Sequence, residues 1–180
     1  MGYMITHMGK HFTPTTPDEA QIHINDISHA LSLICRGNGH VVHFYSVAQH
    51  SVNCANEAKA RGLSARVQLA CLLHDASEAY LGDITRPVKP HLPKYMEIEA
   101  RLQEIIYCKY LGSPLSEEEI AYVQLLDNEM LLCEFTAIMK RVPVDTCPVM
   151  SSKPRFELRA FEDVESEFMA IFEALHKHVS

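Results

Sequence analysis

Apolar residues recur at helical spacing in one segment after another, with almost no alternation at period two. This narrows what the chain can fold into more than any other feature. From Asn25 onward, Ile27, Leu31 and Ile34 keep helical spacing, with Asn25 or Asp26 as cap and Gly37 as stop. A second segment runs from about Ser46 to Arg61 and ends at Gly62. A third starts at Ser64 and continues through "ARVQLACLLHDASEAYL" to Gly82. "DITRPVKPHLP" carries three prolines and reads as loop. A fourth helix runs from Pro93 or Lys94 to Tyr110, before Gly112. Ser116 with Glu119 makes a capping box that opens a long helix through "IAYVQLLDNEMLLCEFTAIMK". "VPVDTCPVMSSKP" reads as loop. The last helix covers roughly 156–178, amphipathic through Phe161, Val164, Phe168, Ile171 and Leu175. Residues 1–20 are irregular, with "YMITHMGKHF" able to pair as a short hairpin around Gly9. The expectation is an all-α fold: one domain over 1–180, a bundle of about six helices behind an irregular N-terminal segment.

Charge bounds the partners. The formal net charge is −7, which argues against an extended nucleic-acid surface but leaves room for a small phosphorylated ligand. None of the six cysteines stands in a CxxC pair, so they read as small buried hydrophobes in a reducing cytosol. "MGYMITHMGK" lacks a basic region followed by an apolar one, and no apolar run approaches the ~20 residues of a membrane span. These features predict a soluble, cytoplasmic protein without a membrane partner.

The stretch "CLLHDASEAYLGD" sets His74, Asp75, Glu78 and Asp83 directly after an apolar run. Adjacent helical residues point about 100° apart, yet His74 and Asp75 can both reach an ion lying over the edge between them. Glu78, four residues after His74, would overhang whatever His74 binds. Buried charge is costly unless paired or metal-bound. His50 lies in a similarly apolar setting, "YSVAQHSVNCA", and so does Asp127, "VQLLDNEMLL". Three packed helices could thus present His50, His74, Asp75 and Asp127 to one ion.

At these residues the chain resembles the HD-domain metal-dependent phosphohydrolases. The central motif "HDASEAYLGDITRPVK" is similar to that of the small bacterial 5′-deoxynucleotidases, and "ALSLICR" and "FYSVAQHS" resemble a prophage-associated set of HD proteins. The resemblance covers about residues 24–135. It implies four metal ligands, His50, His74, Asp75 and Asp127. It implies Glu78 as general acid/base or water-orienting carboxylate, with Asp83 assisting it or binding the sugar. Arg36 would hold the phosphate, and Thr85 and Lys89 would serve the substrate from the following loop.

The implied chemistry suits the residue types. Phosphate ester hydrolysis needs an activated water, charge neutralisation and a proton source; a divalent metal supplies the first two, and Glu78 can supply the third. Arg36 matches bidentate phosphate geometry. Four protein ligands would close a tetrahedral Zn²⁺, so Mn²⁺, Co²⁺, Ni²⁺, Fe²⁺ or Mg²⁺, with open positions, is expected in its place. The leading expectation is 5′-phosphate hydrolysis of deoxynucleoside monophosphates. Two rivals stay open. Triphosphate removal from a dNTP would call on further cations such as Arg86, Lys89 and His91. A non-catalytic nucleotide-binding regulatory module would not need Glu78 and Asp83. His40 and His43 read as loop or surface residues, and His176 and His178 as a solvated tail. Amphipathic outer helices and family habit point to a homo-oligomer, with a dimer as its simplest form.

Overall fold

The computed structural model describes residues 2–139 and 148–179 and is all-α apart from one tiny hairpin. Strands β1 (Met4–Ile5) and β2 (His11–Phe12) pair antiparallel, Met4 opposite Phe12, around the turn at Gly9. Seven α-helices follow: α1 (Ile24–Leu33), α2 (Val47–Ala60), α3 (Ala65–Leu73), the single turn α4 (Glu78–Leu81), α5 (Pro93–Leu111), α6 (Glu117–Ile138) and α7 (Phe161–His176). Serine hydroxyls start three of them. Ser46 accepts from the Gln49 N–H, Ser64 from the Val67 N–H, and Ser116 closes the capping box with Glu119. Gly112, at φ 78°, ends α5 in the left-handed conformation, its N–H reaching the Cys108 carbonyl.

Helix α2 is the axis of the fold, packed against α1, α3, α6 and α7 and buried on nearly every side. Its small residues, Ala48, Cys54, Ala55 and Ala58, let neighbours approach closely. Leu69, Leu72 and Leu73 of α3, Leu126 and Met130 of α6, and Val164 and Phe168 of α7 fill the space between, each with at most 1% of its surface exposed.

Gln49, Asn53 and Glu57 line one side of α2 at i, i+4 and i+8. They do not face the apolar core; they hold the chain returning from α6. Gln49 Nε2 donates to the carbonyls of Arg155 and Glu157. Asn53 exchanges hydrogen bonds with both backbone groups of Arg155. Glu57 accepts the N–H groups of Ser151 and Ser152. His43 donates to the Phe156 carbonyl at 2.7 Å. This ladder keeps 151–157 out of a helix, so the last helix begins at Phe161 instead of the expected Phe156.

The third helix is also shorter than expected. It stops at Leu73, and residues 74–77 tighten into three-residue turns, with Ala76 N–H bonding Leu73 O and Glu78 N–H bonding Asp75 O. Gln103 of α5 satisfies the groups freed there: its amide donates to Leu73 O at 2.7 Å and its oxygen accepts the Ser77 N–H at 3.1 Å. Cys35, Cys54, Cys71 and Cys108 are free thiols, and Cys147 lies outside the described residues. Among the described residues, no helix is long and apolar enough to cross a membrane.

Candidate metal centre

Four side chains named from the sequence meet at one point. His50 comes from α2, His74 and Asp75 from the tightened turn after α3, and Asp127 from α6. The two Nε2 atoms stand 3.1 Å apart. His50 Nε2 lies 3.2 Å from Asp127 Oδ1 and 3.8 Å from Asp75 Oδ2; His74 Nε2 lies 3.2 Å from Asp75 Oδ2 and 3.8 Å from Asp127 Oδ1.

The other nitrogen of each ring decides what these atoms can be. His74 Nδ1 is 2.8 Å from the Cys71 carbonyl, which only accepts, so Nδ1 carries the hydrogen. His50 Nδ1 is 2.6 Å from Glu134 Oε1. Glu134 is buried, which opposes its charge, but His50 and Arg36 hold its pKa below the usual range, so it too is an acceptor. In its neutral form each ring, with its hydrogen on Nδ1, turns a bare Nε2 lone pair toward the other and toward two carboxylates. Four acceptors facing one another need a cation or added protons between them. Without an ion, protons serve. Burial opposes charge on both imidazoles, yet Asp75 and Asp127 raise His74 well above its ordinary value, and Glu134 and Asp127 raise His50. Asp75 and Asp127 are held far below theirs, against burial, by the two imidazoles. The donor set therefore fits a divalent ion.

Cys54 is the competing ligand. Its Sγ lies 3.6 Å from His50 Nε2, and the donor atoms of His50, Cys54 and His74 all fall within 4.8 Å of one another. Burial pushes this thiol well above its ordinary pKa, whereas the two carboxylates are already anionic, so oxygen completes the site more readily than sulfur.

Around the centre lie a base layer and a cleft. Arg36 Nη1 donates to Asp75 Oδ2 at 3.1 Å, and its Nη2 is 3.4 Å from Glu134 Oε2 and 3.9 Å from Asp127 Oδ1. Burial works against its charge, but Glu134, Asp75 and Asp127 more than offset this and raise its pKa. Glu78, 4% exposed, has an Oε2 with no hydrogen-bond partner among the described residues. Its pKa is pushed up to about 9, first by burial, then by the charges of Asp75 and Asp83. Lys89 is held mainly by Glu99 at 2.8 Å and reaches Glu78 Oε1 at 3.4 Å. Asp83 does not contact the ring nitrogens; its Oδ2 accepts the Gly37 N–H at 3.3 Å and ties the post-motif loop to the turn after Arg36.

These groups, with Thr85 and Arg86, line one cleft of about 740 Å³. The rest of its lining is largely apolar, with Leu131, Phe135, Ile138 and Met139 from the end of α6 and Val41 and Ile84 beside them. All nine residues named from the sequence are thus gathered at one site. His40, His43 and His91 do not line it. Glu134 was not selected from the sequence, although a carboxylate inside "LLCEF", seven residues after Asp127 and on the same face, is the signal that marks it.

Residues 35–141 match the family described as HD domain. The Escherichia coli (strain K12) protein YfdR, named as uncharacterized, is 39% identical over 126 residues, covering 70% of this chain and 68% of that protein. An uncharacterized Rhodobacter capsulatus protein is 38% identical over 108 residues, 57% of this chain and 55% of its own length. A Yersinia pestis (strain Pestoides F) protein named 5′-deoxynucleotidase is 28% identical over 157 residues, covering 71% of this chain and 78% of that protein.

Proposed function

The chain belongs to the HD-domain family, and from that premise we propose that it is a metal-dependent phosphohydrolase of nucleotides, removing the 5′-phosphate of deoxynucleoside monophosphates. The observation that carries the reading is the inward-facing set of four acceptors beside a buried carboxyl, one of whose oxygens has no partner among the described residues, and a largely buried guanidinium. His50, His74, Asp75 and Asp127 would hold the ion. Bound there, a divalent ion supplies an activated water and neutralises charge on the phosphoryl oxygens.

The chain's own groups do the rest. Arg36, braced by Asp75 and Glu134, offers a fixed guanidinium fork to two phosphoryl oxygens. Glu78 keeps its proton at neutral pH in the cleft as folded and can give it to the leaving nucleoside oxygen. Lys89 steadies Glu78 from the cleft side. The apolar wall around Phe135 suits the flat face of a nucleobase.

Triphosphate removal is the rival reading. Lys89 pairs with Glu99 and Glu78, and Arg86 with Asp127 at 3.0 Å and Asn128 at 2.8 Å, as Arg36 pairs with Asp75 and Glu134, so the substrate assay decides between the two. A non-catalytic module would have no use for Glu78, a carboxyl whose burial costs free energy that the fold does not recover. The test is a panel of deoxynucleoside mono- and triphosphates with Mn²⁺ or Co²⁺. Orthophosphate from monophosphates is expected. Tripolyphosphate from dNTPs would replace this reading with triphosphohydrolysis, and no release from any substrate would favour the module.

A further inference from the structure

We propose that Glu134 is a positioning residue that links ion retention to phosphate binding, by holding His50 and Arg36 with one carboxylate; this rests on the reading of the centre as a phosphohydrolase site. Glu134 is 2% exposed and stands two turns after Asp127 on α6. Its Oε1 accepts from His50 Nδ1 at 2.6 Å and from the Tyr45 hydroxyl at 3.0 Å, and its Oε2 lies 3.4 Å from Arg36 Nη2. The carboxylate is itself held. Asn53 donates to the Tyr45 oxygen at 3.0 Å and to the Arg155 carbonyl at 3.0 Å, so a chain of hydrogen bonds runs from the returning segment to the His50 ring.

Balancing the charge of Arg36 does not require this residue, because Asp75 and Asp127 already flank the guanidinium. Asp75 and Asp127 meet His50 at Nε2, the nitrogen turned to the centre, whereas Glu134 holds it by Nδ1 from behind while also reaching Arg36. It fixes the His50 tautomer that turns Nε2 inward, and it grips Arg36 from the side away from Asp75. With Asp75 and Asp127 committed to an ion, Glu134 is the carboxylate left to orient the phosphate clamp.

The test titrates Mn²⁺ and Co²⁺ by calorimetry into the wild type, Glu134→Gln, Arg36→Gln and the double variant, then inorganic phosphate into each ion-loaded protein. Glu134→Gln, folded by circular dichroism, should bind ion about 10–100-fold more weakly. Its phosphate affinity should fall as far as that of Arg36→Gln, and the double variant should fall no further, a coupling that a purely structural residue does not produce. Ion affinity within twofold of wild type, or phosphate losses that multiply in the double variant, would overturn the proposal. If Glu134→Gln does not fold, Tyr45→Phe loosens the carboxylate without removing it and should weaken ion binding by about threefold; no change there overturns the proposal equally. A wild type that binds neither ion sinks the reading of the centre itself, whereas a binding wild type matched by Glu134→Gln sinks only the role of Glu134.

Discussion

In the folded chain Glu78 is a carboxylic acid at neutral pH, and this has a thermodynamic consequence that is separate from catalysis. Its pKa rises from 4.5 to about 9 on folding, through burial and then the charges of Asp75 and Asp83. A carboxyl raised in the native state binds a proton that the unfolded chain releases, so between those two values native stability falls as pH rises. Glu78→Gln keeps the shape and removes the titration. The ion-free variant should therefore melt higher than wild type at pH 8, with the gain vanishing toward pH 4.5, while hydrolysis drops by roughly 10²–10⁴-fold. A variant that melts lower at pH 8, or one that hydrolyses normally, contradicts the burial argument or the catalytic role respectively. Candidates of this kind are legible in sequence because polarity inside an apolar run is conspicuous, as at His50, His74, Asp75 and Asp127, whose side chains the fold brings together. Glu134 was passed over because α6 also carries Asp127 and Glu129, and sequence spacing does not reveal which carboxylate an imidazole Nδ1 will choose.

Helix starts and stops were legible wherever one residue decides them, as at the Ser46, Ser64 and Ser116 caps and at Gly112. Two boundaries were not, and both are set by a distant partner. Apolar spacing runs unbroken through Cys71–Leu73 into Ala76, but Gln103 on another helix satisfies the backbone groups freed at the break. Apolar spacing likewise suggests a helix from Phe156, but α2 uses the backbone there as hydrogen-bond partners. Glu57 anchors that ladder, fully buried and accepting from Ser151, Ser152 and Arg61. Burial opposes its charge, yet these hydrogen bonds, led by Ser152, bring its pKa down to about 2, opposite in direction to Glu78. A carboxylate depressed on folding stabilises the protein above the unfolded value near 4.5, and that stability is lost as pH falls toward 2. Glu57→Gln sets an amide N–H₂ against N–H donors and should cost on the order of 3 kcal/mol at pH 7, measured by urea unfolding. The deficit should narrow below pH 4; an equal deficit at pH 3 and pH 7 would assign the loss to packing and not to the charge.

For the molecule as a whole, a net charge of −7 coexists with a cleft in which every cation leans on a carboxylate: Arg36 on Asp75, Arg86 on Asp127, Lys89 on Glu99. Two of those carboxylates belong to the set that would hold the ion, so a bound ion and the cleft cations share the same acids. Helices α2 and α6 and the turn after α3 converge at this centre, and an ion bridging all three should stabilise the native state as a unit. A ligand that binds only the folded form, at 100 times its dissociation constant, adds about 2.7 kcal/mol. For a chain of this size that is a rise in melting temperature of roughly 5–10 °C with Mn²⁺ or Co²⁺, reversed by a chelator. Divalent ions also screen an acidic surface, so the control is His74→Ala at equal ionic strength. It removes one inward ligand atom and leaves every surface carboxylate in place. If the variant gains as much as wild type, the stabilisation is screening and the four-acceptor centre does not hold the ion. If wild type rises and the variant does not, the ion sits where α2, α6 and the motif turn converge.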